Sequence, residues 1–180
     1  MEDKTMKLVE TCLDDEDFIW YYLAPQNSCT IDDVNRAEKE LGVKFPCEYR
    51  AHLMGEYPGI FIEASDEVWS KDIKGGAFWH FLHSIHTYTA SLPNDEVEEE
   101  MRLVTTGKRF MEETGLPIVP IFRRLMDADV YCVDKQGDIV QFLHEEFTTK
   151  KVDMNFWELF EQELKELQKR KEMMIEKNQK

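Results

Sequence analysis

The chain has 180 residues, 42% of them apolar and 33% charged, which supplies a core of ordinary size and is too apolar for a disordered acidic tail. Its 22 Lys and Arg stand against 37 Asp and Glu, a formal net charge of -15. That balance argues against direct binding to a phosphate backbone, which runs on basic side chains displacing counterions, and it favours a basic partner drawn in by the field.

Met1 to Asp17 carries seven acids and two bases, so it does not read as a secretory signal, which needs a positive start and an apolar stretch. The longest apolar run, Phe18 to Ala24, falls far short of the ~20 residues that cross a bilayer. No membrane association is expected. Cys12, Cys29, Cys47 and Cys132 are widely spread and form no C-x-x-C pair, so they read as reduced thiols of a cytoplasmic protein.

The first 24 residues read as one or two short helices, with Met6, Val9 and Leu13 on one face. Pro25 to Ser28 breaks the pattern. Thr30 is a good N-cap with Asp33 three residues on, Ile31, Val34 and Leu41 keep helical spacing, and Gly42 stands where a left-handed C-cap belongs. Pro46 opens a second short helix, with Tyr49 and Leu53 on its inner face. Ile60 to Ile62, Val68-Trp69 and Phe78 to Leu82 read as strands, the last leading into a helix near Ser84. A long helix is expected from Pro93-Asn-Asp95, its first turns filled by acids and its stripe formed by Val97, Met101, Val104 and Met111. Ile118 to Phe122 reads as a strand at a sheet edge or a strand start because of its flanking prolines. Val130 to Val133 and Ile139 to Leu143 form a hairpin around Gly137. Asn155 or Asp153 caps a final helix with Phe156, Phe160, Leu164 and Leu167 as its stripe, and the polar end from Gln168 is expected to fray or project. Strands joined by hairpins with segregated helices argue an α+β fold.

Candidate chemistry is thin. His80, His83 and His86 recur every third residue, but on a helix or a strand they spread around the element, and no H-E-x-x-H is present. A His-dependent metalloenzyme is therefore the weakest of three readings. Asp127, Asp129, Asp134 and Asp138 lack the calcium-loop pattern. No nucleotide-binding or nucleophile-elbow motif occurs, so no catalytic residue, metal or cofactor is assigned. Aromatic side chains inside an acidic rim would suit protein binding. The candidates are Asp66, Glu67, Asp127, Asp129, Glu145 and Glu146, with Trp69 and Trp79 as apolar anchors.

The stretch Thr30 to Leu53, with Glu38 before Leu41-Gly42, the Pro46 step and Tyr49, resembles the opening signature of the SUKH superfamily. Pro120, Tyr131 to Asp134, Gly137, Ile139, His144-Glu145, Phe156 and Phe160 extend the resemblance, although Gly55 to Gly59 replaces the usual Asn-Gly turn. The resemblance implies a single α+β domain over residues 27–167, with a mixed, largely antiparallel sheet, helices packed on it and a C-terminal helix. Residues 1–26 would be a helical extension and 168–180 a polar helix end or tail. It further implies action by binding: an immunity-type protein that neutralises a toxin such as a nuclease, or an adaptor of the same fold; the acidic charge points to a basic toxin, and a monomer or weak homodimer is expected.

Overall fold

The structure is a computed structural model and describes residues 3–13, 15–69, 82–92 and 97–178. Its elements run α1 (Lys4–Cys12), β1 (Phe18–Tyr22), α2 (Ile31–Leu41), α3 (Cys47–Leu53), β2 (Ile60–Ala64), β3 (Ser84–Thr87), α4 (Leu103–Thr114), β4 (Val119–Arg124), β5 (Val130–Val133), β6 (Ile139–Leu143), β7 (Thr148–Lys151) and α5 (Phe156–Asn178). Among the described residues seven strands form one antiparallel sheet in chain order, β1 and β7 at its edges, and with the helices make a single α+β domain.

Each strand shows one side chain in two to each face. Ile60, Ile62 and Ala64 of β2, Ile85 of β3 and Tyr131 and Val133 of β5 enter the main core, where they meet Val34, Ala37 and Leu41 of α2, Tyr49 and Leu53 of α3 and the Phe156, Phe160 and Leu164 stripe of α5. Val9 and Leu13 at the first helix, Phe18 of β1 and Met174 near the end of α5 belong to the same core. On the opposite face Val130, Cys132, Val140 and Phe142 pack with Ile118, Phe110 and Leu116 around α4. Gly107 lets α4 press close: a Cβ there would stand 2.8 Å from Leu41 Cδ2 and 3.2 Å from Val119 Cγ1.

The joint between α2 and α3 rests on one carboxylate. Thr30 and Asp33 form the anticipated capping box, and Gly42 closes α2 in the left-handed region at φ 67°. Glu38, 2% exposed, accepts from the Phe45 N–H at 3.0 Å and from Lys44 Nζ at 2.7 Å, and lies 2.6 Å from Arg50 Nη1. Burial pushes its carboxyl up, but the hydrogen bonds from Lys44, Arg50 and Phe45 outweigh that and hold it below the usual range. This carboxylate thereby ties the start of α3 to α2.

Several expectations are corrected. Phe18–Tyr22 is a strand: its β-branched and aromatic run pairs with β2, and sheet pairing outweighs the helical reading. Val68 and Trp69 lie in a turn, where Trp69 N donates to Ser65 O at 2.9 Å. Ser84–Thr87 is a strand and opens no helix. The helix expected from residue 93 starts at Leu103; the acids Glu99 and Glu100 sit in a preceding 3-10 turn, Glu99–Met101. Residues 93–96 and 78–81 lie outside the described residues. β4 is central, between β3 and β5, and Pro120 is accommodated by a register shift between Pro120 and Phe122. β7 was not anticipated: its Thr148–Lys151 run is wholly exposed and carries no apolar alternation. Finally, α5 neither frays nor projects at Gln168. It continues to Asn178, burying Lys171 and Met174.

Candidate functional site

The antiparallel register brings residues 15–17, 65–69, 82–83, 125–129 and 144–147 to one end of the sheet. These described residues include Asp15, Glu16, Asp17, Asp66, Glu67, Asp127, Asp129, Glu145 and Glu146, and no Lys or Arg. Six of these are the acids singled out from the sequence, which are scattered over 81 positions there but share one rim in the fold.

Two of the rim acids are committed to the scaffold. Asp127 is buried and paired with Arg124 at 2.6 Å, while Asp17 meets the buried Lys171 of α5 at 2.5 Å. Arg124 also stands 4.0 Å from Glu163, which accepts from the Tyr131 hydroxyl at 2.9 Å. Burial and the neighbouring Glu163 push the Tyr131 phenol up, so it stays a donor. Arg170 of α5 donates to Leu82 O at 3.0 Å. Thus α5 braces the rim from beneath. Asp129 links two turns: its Oδ1 accepts from His144 N at 2.8 Å. Asp66, Glu67, Glu145 and Glu146 are exposed.

Beside the rim lies a groove of about 290 Å³ lined by Phe110, Glu113, Thr114, Arg123, Ala128, Phe142, His144 and Phe147. Phe142 forms its floor, with Phe110 edge-on at 5.3 Å and Phe147 edge-on at 5.5 Å. Phe147 sits at φ 53°, a conformation that L residues seldom adopt, and stays 54% exposed. Glu113 and the exposed Glu145-Glu146 pair supply the acid beside these rings. The lining carries one carboxylate, Glu113, and one guanidinium, Arg123, around an apolar floor suited to an apolar side chain of a partner.

The whole-chain comparison agrees with the fold: residues 28–162 match the model of the SMI1 / KNR4 family (SUKH-1). The chain belongs to the SMI1 / KNR4 family. No curated protein matches it. SUKH domains are protein-interaction domains, and membership fits a domain of the immunity or cell-wall-regulator type.

Within this SMI1 / KNR4 fold the anticipated aromatic anchors change. Trp69 is fully buried, 6.0 Å from the His83 ring, so it serves the core and is closed to a docking partner. Trp79 and His80 lie outside the described residues. His86 is buried between Phe61 and Tyr88 in β3; burial, then Arg123, pulls its imidazole down to about 4. Among the described residues no group of three His, Cys, Asp or Glu side chains is gathered as a metal would need, and no helix is long and apolar enough to cross a membrane. The exposed aromatic beside the rim is instead Phe147, which packs with Phe142 and through it with Phe110. Phe147 was missed because a Phe next to a strand reads as core; the two acids before it were the available signal of a turn.

Proposed function

We propose that the protein is a cytoplasmic immunity-type binding protein that neutralises a basic toxin, with a nuclease as the favoured class. The carrying observation is the concentration of acid at one sheet end around an aromatic groove, in a chain of net charge -15. A nuclease must be basic where it holds phosphate. A complementary acidic rim both speeds encounter and covers that surface. Glu67, Glu145 and Glu146 supply the steering charge, with Asp66 and Asp129 beside them, and Phe147 supplies the buried contact once a partner closes over it. The protein acts by occupying its partner, without a reaction of its own.

The test is co-purification of the full chain from its own cells, with identification of any polypeptide at equal stoichiometry. A basic polypeptide whose association slows steeply with added salt supports the reading. A neutral or acidic partner, or a salt-insensitive association rate, contradicts it. An adaptor reading that used a projecting C-terminal helix as its contact loses support, since one face of α5 is packed onto the domain as far as Met174.

A further inference from the structure

The two edges of the sheet differ in kind. β7 is Thr-Thr-Lys-Lys, exposed throughout, and Lys150 and Lys151 make it a poor template for another strand. β1 is Phe-Ile-Trp-Tyr-Tyr, with no Lys, Pro or other charge to blunt it. Ile19, Tyr21 and Tyr22 are 42%, 50% and 47% exposed.

The backbone of β1 is arranged for a second partner. Ser65 N donates to Asp17 O at 2.9 Å and Leu23 N donates to Gly59 O at 3.1 Å. With the register Phe18↔Ala64 to Tyr22↔Ile60, odd-numbered residues therefore turn their N–H and C=O toward β2. Phe18, Trp20 and Tyr22 turn theirs to the outer edge, which no strand among the described residues occupies.

We propose that this edge pairs with the same edge of a second copy, antiparallel about a twofold axis at Trp20. Trp20 then exchanges both backbone bonds with Trp20 of the second copy, and Phe18 does so with Tyr22. Ile19 falls directly opposite Tyr21 in the closer, non-hydrogen-bonded pair, which covers two exposed apolar side chains of β1. The sequence is therefore complementary to itself in this register, as an isologous contact requires.

Charge selects the same arrangement. Each copy carries -15, so contact is favoured only through a neutral stretch. Residues 18–27 contain no charged side chain, whereas Asp15, Glu16 and Asp17 immediately precede them. Antiparallel pairing lays those acids beside the neutral Leu23 to Asn27 of the second copy; parallel pairing would lay acid on acid. The dimer leaves the rim acids of the two copies apart, at opposite ends of the doubled sheet.

Sedimentation equilibrium of the full chain tests this at low and high salt. Raising salt from about 0.05 M to about 0.5 M shrinks the screening length from roughly 14 Å to roughly 4 Å. Self-association should then tighten several-fold, the opposite of the salt response expected for rim binding. The double variant Ile19→Lys with Tyr21→Lys alters exposed positions, so it should keep its circular dichroism and be monomeric at both salts. A wild-type chain that stays monomeric at both, or a dimer indifferent to that double variant, overturns the proposal. Register is read separately in a Cys47→Ser background. Mixed Ile19→Cys and Tyr21→Cys chains should oxidise to a covalent heterodimer, because directly opposed residues of this type lie at disulfide distance. Failure of that cross-link in a sample that does dimerise refutes the twofold at Trp20.

Discussion

Replacing Glu38 by Ala removes the carboxylate that holds α2, the following loop and α3 together. Three partners lose it at once: the Phe45 N–H, Lys44 Nζ and Arg50 Nη1. Lys44 is 79% exposed and is rehydrated at little cost, so it contributes almost nothing. The Phe45 N–H is buried and left unsatisfied, which costs about 1–3 kcal/mol. Arg50, 23% exposed, loses its counter-charge and adds about 1–2 kcal/mol, below the full cost of a broken buried pair because water still reaches it. The expected loss is therefore roughly 3–4 kcal/mol, or about 10 °C in Tm for a chain of this length. Urea denaturation at constant m-value reads it directly. Glu40→Ala is the matched control: it breaks an equally short pair with Lys108, but both side chains are well exposed, 39% and 49%, so its effect should stay below about 1 kcal/mol. Equal losses in the two variants, or a Glu38→Ala loss below about 1 kcal/mol, would refute the argument that burial, not pair distance, sets the energy.

His52 and His86 give the fold an acid lever. His52 is fully buried, its ring nitrogens bonded to Thr5 Oγ1 at 2.9 Å and Thr87 Oγ1 at 2.8 Å, and burial pulls it down to about 4, as burial then Arg123 do for His86. Between pH 6.5 and 4 the unfolded chain binds more protons than the folded one, so stability rises with pH there; roughly 2 kcal/mol per imidazole should be lost between pH 7.5 and 5, measured as a falling urea midpoint. Truncation after Gln168 removes the buried Lys171 and Met174, and it should lower the unfolding free energy by about 3 kcal/mol or more and loosen the rim, seen as faster amide exchange around Asp17. Phe147→Ala should weaken partner binding about 10-fold or more, chiefly through a faster off-rate in surface-based kinetics, while leaving stability within about 0.5 kcal/mol. A binding constant unmoved by that change would remove the groove from the interface.

Much of the scaffold was legible because its signals are local. The Thr30–Asp33 capping box, the Gly42 cap and the hairpin at Gly137 are fixed by chemistry within a few residues, and the structure carries each. Trp69 shows where this stops. A Trp near acids reads as core more readily than as anchor yet allows both, and the packing of the 65–69 turn decides that it is buried. Likewise Phe18–Tyr22 holds no period that separates strand from helix; its pairing with Ile60–Ala64, some forty positions away, decides it. The rim acids were named from charge alone. Their convergence on one sheet end depends on strand order, which the sequence pattern does not state. The polar end of α5 was misread for the complementary reason: Lys171 looks solvated in sequence, and its burial follows from contacts far away in the chain, with Asp17, 154 positions earlier, and the Phe18 ring.

The central claim is that the acidic sheet end, and not the negative charge of the chain as a whole, recruits a basic partner. The most direct measurement compares association rates of the co-purified partner with the wild-type chain, with Glu145→Lys plus Glu146→Lys, and with Glu172→Lys plus Glu176→Lys on the exposed side of α5. Both variants change net charge equally. The rim variant should slow association at least 10-fold at low salt, with the difference closing as salt rises, while the α5 variant should slow it far less. Equal slowing by the two variants, or none by the rim variant, would contradict the account.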